Sequence, residues 1–181
     1  SGFDRGLNAY CSPRDALFTA AALDRVGHPE IAKGLFEWLG RVRGLQRPFS
    51  YWFQKYTIDG WPEWETPAVD QSALIPWAIE KHYLWQGDLD RVAAAWPMIE
   101  QAAIVCCGQS GHAGLRYLED MALVSSAGIW DSRFGAFLYS NACVVAGLRA
   151  AARLATLLDK PADLIKTWRD RADNIWEVGI L

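Results

Sequence analysis

The stretch SPRDALFTAAALDRVGHPEIAKGLFEWLGRV, Ser12 to Val42, decides the fold. Pro13 has no N–H to lose and suits the first position of a helix; Ser12 before it is a natural N-cap, and Asp15 favours the positive end of the helix dipole. A helix is therefore expected from Pro13 to about Val26, stopped by Gly27. After His28-Pro29, the residues Ile31, Leu35, Trp38, Leu39 and Val42 fall on one stripe at helical spacing, so a second helix runs to about Val42. A link this short between two helices makes the chain double back, and the unit is a helical hairpin.

Outward from that unit the same rhythm returns twice. Helices from about Ala68 to Trp85 and from Leu89 to Cys107 flank Gly87-Asp88; helices from about Tyr139 to Leu158 and on to about Val178 flank Lys160-Pro161. Pro76 and Pro97 are expected to kink the helices that contain them. No run alternates convincingly over more than a few residues, so the fold class is all-α, with six helices in three antiparallel pairs. Two long connections, Gly44 to Thr66 and Gly108 to Gly135, interrupt the pairs, and the first holds Tyr51-Trp52-Phe53, the turn signal Asp59-Gly60, and Trp61-Pro62-Glu63-Trp64. Connections beyond about 12–15 residues are usually functional or disordered, and this density of rings argues against disorder. Because short and long links alternate, the long ones gather at one end of the helices. Stacked hairpins either extend as a solenoid or close into a toroid; a period of roughly 60 residues is too long for the common short repeats, and a toroid sector is the reading adopted.

At 181 residues the chain is large enough to bury a real core, and 51% hydrophobic with 22% charged residues is an ordinary balance for a folded protein. The formal charge of −3 and the lack of any basic cluster leave no footprint for nucleic acid. No run reaches the roughly 18 apolar residues that span a bilayer, so no membrane partner is expected. The start Ser1-Gly2-Phe3-Asp4-Arg5 lacks a signal-peptide layout, which favours the cytoplasm, although upstream residues could precede Ser1. Cys11, Cys106, Cys107 and Cys143 form no CxxC and no zinc-finger spacing with histidine; core thiols are expected, with no metal and no cofactor.

The long-loop end collects Arg14, Asp15, Trp52, Trp61, Glu63, Trp64, Glu65, Asp70, Trp130, Asp131 and Arg133. Any one of these tryptophans, taken alone, is explained by core packing. As a set, rings mixed with carboxylates and arginines suit carbohydrate: apolar sugar faces stack on rings, and hydroxyls need charged or polar partners. The expected partner is an oligosaccharide or small glucoside.

Several of these residues stand in a series. Ser12-Pro13-Arg14-Asp15 opens the first helix; Trp64-Glu65-Thr66-Pro67-Ala68-Val69-Asp70 opens the third; Gly128-Ile129-Trp130-Asp131-Ser132-Arg133 is followed by Tyr139-Ser140 and Ala146-Gly147-Leu148-Arg149-Ala150-Ala151. As an ordered set they resemble glycoside hydrolase family 15, which holds glucoamylases, glucodextranases and bacterial trehalases. The resemblance implies a catalytic toroid of six helix pairs, (α/α)6, of which these six helices would be half, so that residues 1–181 form one all-α domain within a larger catalytic domain. It also implies that Arg14 and Asp15 bind the terminal sugar and that Trp64 stacks on it with Asp70 in support; Trp61, Trp130 and Arg133, gathered at the same long-loop end, are expected to line the site with them. The implied activity is that of a glucoamylase-like hydrolase of α-linked glucosides, working by inversion.

Two departures accompany the resemblance. The family's general acid is the Glu of a Trp-Glu motif, and this chain has Asp131 there, shorter by one methylene or about 1.5 Å. The family's general base comes late in its chain, in a region with no counterpart in these residues, whereas inversion needs a second carboxylate about 6.5–9.5 Å from the acid. Half a toroid would also expose an apolar face, to be covered by the missing half or by self-association. A carbohydrate-binding protein on the same scaffold and a helical-repeat interaction module are the competing readings.

Overall fold

The computed structural model describes residues 10–45, 50–129 and 132–181. Its helices are α1 (Pro13–Arg25), α2 (Pro29–Leu45), α3 (Val69–Gln86), α4 (Leu89–Cys106), α5 (Leu138–Leu157) and α6 (Ala162–Asn174), which runs into a π-helical turn over Ile175–Ile180. The expected pairs form, α1 on α2, α3 on α4 and α5 on α6. Gly27 and Gly87 stop the first helix of their pairs with φ of 99° and 70°, a left-handed conformation that glycine adopts at little cost. Both α3 and α4 continue through Pro76 and Pro97.

The chain is mostly helical, not all-helical. The long connections carry short strands: β1 (Tyr10–Cys11), β2 (Phe53–Thr57) and β3 (Pro62–Pro67) pair antiparallel in that order, and two small hairpins follow, β4 (Tyr117–Leu118) with β5 (Leu123–Val124) and β6 (Ser126–Ala127) with β7 (Phe134–Gly135). The reason is visible in β3, where Glu63 and Glu65 face water and Trp64 and Thr66 turn inward. That is a strand period of two, held by pairing with β2 across the Asp59-Gly60 turn.

Helix α3 is the central element. It lies between α1 and α5, with α4 against it, and its residues Val69 to Pro76 are all buried. Leu74, Ile75 and Ile79 each contribute about 1.5–3 kcal/mol of burial. An unbroken buried run replaces the single stripe of a surface helix because α3 is covered on several sides. Its closest neighbour is α5, where Gly147 leaves so little room that a Cβ would lie under 3.0 Å from the Ala73 carbonyl oxygen. Helices α1, α3 and α5 therefore form one row, and α2, α4 and α6 pack against it. Cys106, Cys107 and Cys143 are buried thiols in that packing, as expected, and Cys11 is half-buried. Among the described residues no helix is long and apolar enough to cross a membrane.

Candidate functional site

The helices of the central row begin at the same end, and their first turns meet there. Arg14, in the first turn of α1, is 5% exposed and gives Nη1 to Asp70 Oδ2 of α3 at 3.1 Å and Nε to Asp15 Oδ1 at 3.0 Å. Asp70 is fully buried, with Oδ1 unpartnered, whereas the Asp15 side chain is 60% exposed. From α5, Tyr139 and Cys143 lie close enough to feel both charges.

Burial sets the protonation in this cluster. It raises the Asp70 carboxyl above its ordinary value, and the neighbouring Arg14 guanidinium only partly offsets that cost. For Arg14, burial alone favours the neutral form, but the hydrogen bond to Asp15 and the charge of Asp70 reverse it and hold the guanidinium charged. Burial also raises the Cys143 thiol to about 11, against a hydrogen bond with Tyr139, and raises the Tyr139 phenol well above its usual range. Beside a cation and two carboxylates the site therefore keeps a neutral thiol and a neutral phenol.

None of the row's helices is capped by its own side chain. Ser12 stands at the N-cap position of α1 with an extended backbone, but its Oγ makes no capping bond and is buried without a partner, which corrects the expected cap. The Arg14 N–H donates instead to Gln71 Oε1 of α3 at 2.8 Å. The Val69 N–H, at the start of α3, donates to Ser126 Oγ of β6 at 3.0 Å. Asn141, in the first turn of α5, clamps β5: its Oδ1 accepts from the Val124 N–H at 2.7 Å and its Nδ2 donates to the Val124 carbonyl at 3.0 Å. Gln71, Ser126 and Asn141 carry no pattern of their own in sequence; the only hint is that Ala68 and Phe137, at the N-cap positions of α3 and α5, are poor caps.

The β-hairpins close over this end. Trp64 is half-buried on β3, with Nε1 donating to Thr66 Oγ1 at 2.9 Å and Lys55 Nζ 5.4 Å from its ring centre, so a cation already lies over the indole. Thr66 Oγ1 is 3.3 Å from Ser132 Oγ, joining β3 to the segment between β6 and β7. That segment is closed by the Gly128 N–H donating to the Arg133 carbonyl at 3.0 Å, and Phe134 anchors it by stacking on His112 and packing its ring over Gly114. Arg133 is exposed beside it. Trp130 and Asp131, on the same segment, lie outside the described residues. Trp61 stands 66% exposed beside the hairpin turn, which is tied to α2 by Trp38 Nε1 donating to the Ile58 carbonyl at 3.0 Å. Arg14, Asp15 and Asp70 are thus in direct contact, Trp64 and the Arg133 segment are linked through Thr66, and Trp61 is exposed at the β2–β3 turn.

The chain is similar to a known protein over most of its length. It is 30% identical over 161 residues, 88% of this chain, to an uncharacterized glycosyl hydrolase of Methanocaldococcus jannaschii. The matched part is 24% of that relative, so the chain spans about a quarter of its length. No protein-family profile matches the chain. The similarity supports a glycoside-hydrolase-like family.

Proposed function

We propose that the chain is part of the catalytic domain of a glycoside hydrolase acting on α-linked glucosides by inversion, with its sugar site where α1, α3 and α5 begin. The observation that carries this reading is the buried Arg14–Asp70 pair with Asp15 beside it. A neutral polyhydroxy ligand needs donors and acceptors fixed in place, and a guanidinium held between two carboxylates supplies both without a net positive charge to attract anions. The glycosyl hydrolase similarity supports the same class.

In this reading Arg14 and Asp15 hold the hydroxyls of the terminal sugar, Asp70 keeps the guanidinium oriented, and Trp64, Trp130 and Arg133 border the site. Asp131 is the general acid. Its carboxyl proton passes to the glycosidic oxygen as the bond to the anomeric carbon breaks, and a water attacks that carbon from the opposite face, losing its proton to a carboxylate base. The base belongs to the part of the catalytic domain beyond these six helices, and the row of α1, α3 and α5 is one sector of an (α/α)6 toroid.

The test is hydrolysis of maltose, isomaltose and trehalose by the intact protein, followed by proton NMR of the first sugar released. An α-linked substrate should give the β-anomer. Asp131→Asn should abolish turnover, and Asp131→Glu should raise it, because a misplacement near 1 Å costs about a hundredfold. Full turnover by Asp131→Asn removes Asp131 from the mechanism, and sugar binding with no turnover by the wild type favours a carbohydrate-binding protein.

A further inference from the structure

We infer that Gln71 is a positioning residue for the sugar site: its side-chain oxygen fixes the backbone of Arg14 and so sets where the Arg14–Asp15 pair stands. The inference rests on the reading of that pair as the sugar-binding one.

The argument starts from the first turn of α1. A helix leaves its first N–H groups without intrahelical partners, and a side chain at the N-cap normally takes one of them. Here Ser12 does not, and Pro13 has no N–H, so the first N–H of the helix to need a partner is that of Arg14. Gln71 Oε1 accepts it at 2.8 Å, from a helix 57 residues further along the chain. The next residue back, Asp70, takes the other end of the same arginine. Two consecutive residues of α3 therefore hold Arg14 by its main chain and by its guanidinium. Holding only the guanidinium would leave the α1 backbone free to slide, carrying Asp15 with it.

Gln71 is also an expensive choice for this position. It is fully buried, and its Nε2 has no partner, so an amide donor is left unsatisfied where leucine or methionine would fill the space without that cost. A residue kept for packing alone gains nothing from the amide. Its oxygen has one visible use, which is the Arg14 N–H.

The experiment compares Gln71→Met, which keeps the length and loses the acceptor, with Gln71→Glu, which keeps an oxygen at the same reach. In a buried site beside Asp70 the glutamate takes up a proton, and its carbonyl oxygen still accepts. The first readout is the Arg14 Nε–H resonance in the intact protein, assigned by its loss in Arg14→Lys, and its exchange with solvent. Exchange should be on the order of tenfold faster in Gln71→Met and close to wild type in Gln71→Glu, while core amides such as that of Leu148 keep their protection. The second is KM for maltose and isomaltose, expected to rise roughly tenfold in Gln71→Met with kcat unchanged. Unchanged Arg14 exchange in Gln71→Met overturns the inference. So does a loss of protection spread equally over the core, or a Gln71→Glu protein that behaves like Gln71→Met. If Arg14→Lys leaves sugar affinity intact, the sugar-site reading fails, while the exchange measurement still decides what Gln71 does to Arg14.

Discussion

Asp70 shows at the residue scale how the site is set against stability. Its carboxyl is completely buried and one of its oxygens has no partner, so burial outweighs the Arg14 guanidinium and raises its pKa above the ordinary 3.8. A carboxyl with a raised folded-state pKa gives its full contribution below the unfolded value and loses it as pH rises through the folded value. Asp70→Asn removes that titration. The stability of wild type minus that of Asp70→Asn should therefore fall as pH rises upward from about 4, as read from urea unfolding at a series of pH values. A difference that stays flat, or grows with pH, contradicts the raised value. The sequence shows Asp70 as an acid opening a helix, ordinarily an exposed and favourable place. That it is buried follows from α1 and α5 covering α3, which a local pattern cannot report.

Among the elements, what the chain reveals directly is whatever is encoded nearby. Gly27, Gly87 and the Lys160-Pro161 link stop helices by local chemistry, and the three pairs follow from them. The strands escaped because Pro62 to Pro67 alternates over too few residues to outweigh a tryptophan-rich loop. The cross-helix caps escaped because Gln71 and Ser126 each lie 57 residues from the N–H they accept. Trp61 borders the turn that Trp38 of α2 ties down, a contact between residues 20 apart that the ring itself does not announce. Gly147 is a similar case: nothing beside it in sequence explains a glycine inside a helix, and the explanation is the Ala73 carbonyl of α3. Gly147→Ala gains about 1 kcal/mol of helix propensity but forces α3 and α5 apart against a backbone oxygen, an overpacking cost of about 3 kcal/mol. The net expectation is a loss of about 2 kcal/mol in urea unfolding, and a variant as stable as wild type would mean the crossing is looser than the structure shows.

Over the whole molecule the central row has two ends with different chemistry. At one, Arg14, Asp15 and Asp70 form the candidate site under the hairpins. At the other, Asp24 near the end of α1 accepts from Gln86 Nε2 at 2.8 Å and sits 2.6 Å from His82 Nδ1, both on α3, and Glu80 of α3 pairs with Arg153 of α5. Asp24 and His82 are buried, with Phe36 of α2 edge-on to the imidazole, so this tie is part of the packing. Asp24→Asn keeps the shape but replaces one of two acceptor oxygens by an amide donor, and a His82 that moves its proton to Nε2 so as to accept from that amide leaves the proton buried without a partner. Breaking a buried pair of this kind costs about 3 kcal/mol. Along α1, Asp24 lies ten residues from Arg14, about 15 Å of helix, which is long enough for the site's own ties to Asp70 and Gln71 to hold its geometry. Asp24→Asn should therefore lower the urea midpoint with the slope unchanged and leave KM for the sugar within twofold of wild type. A KM that shifts in step with the midpoint would mean that the two ends move as one body, and that the contacts of Gln71 and Asp70 are too weak to fix Arg14 without the far end.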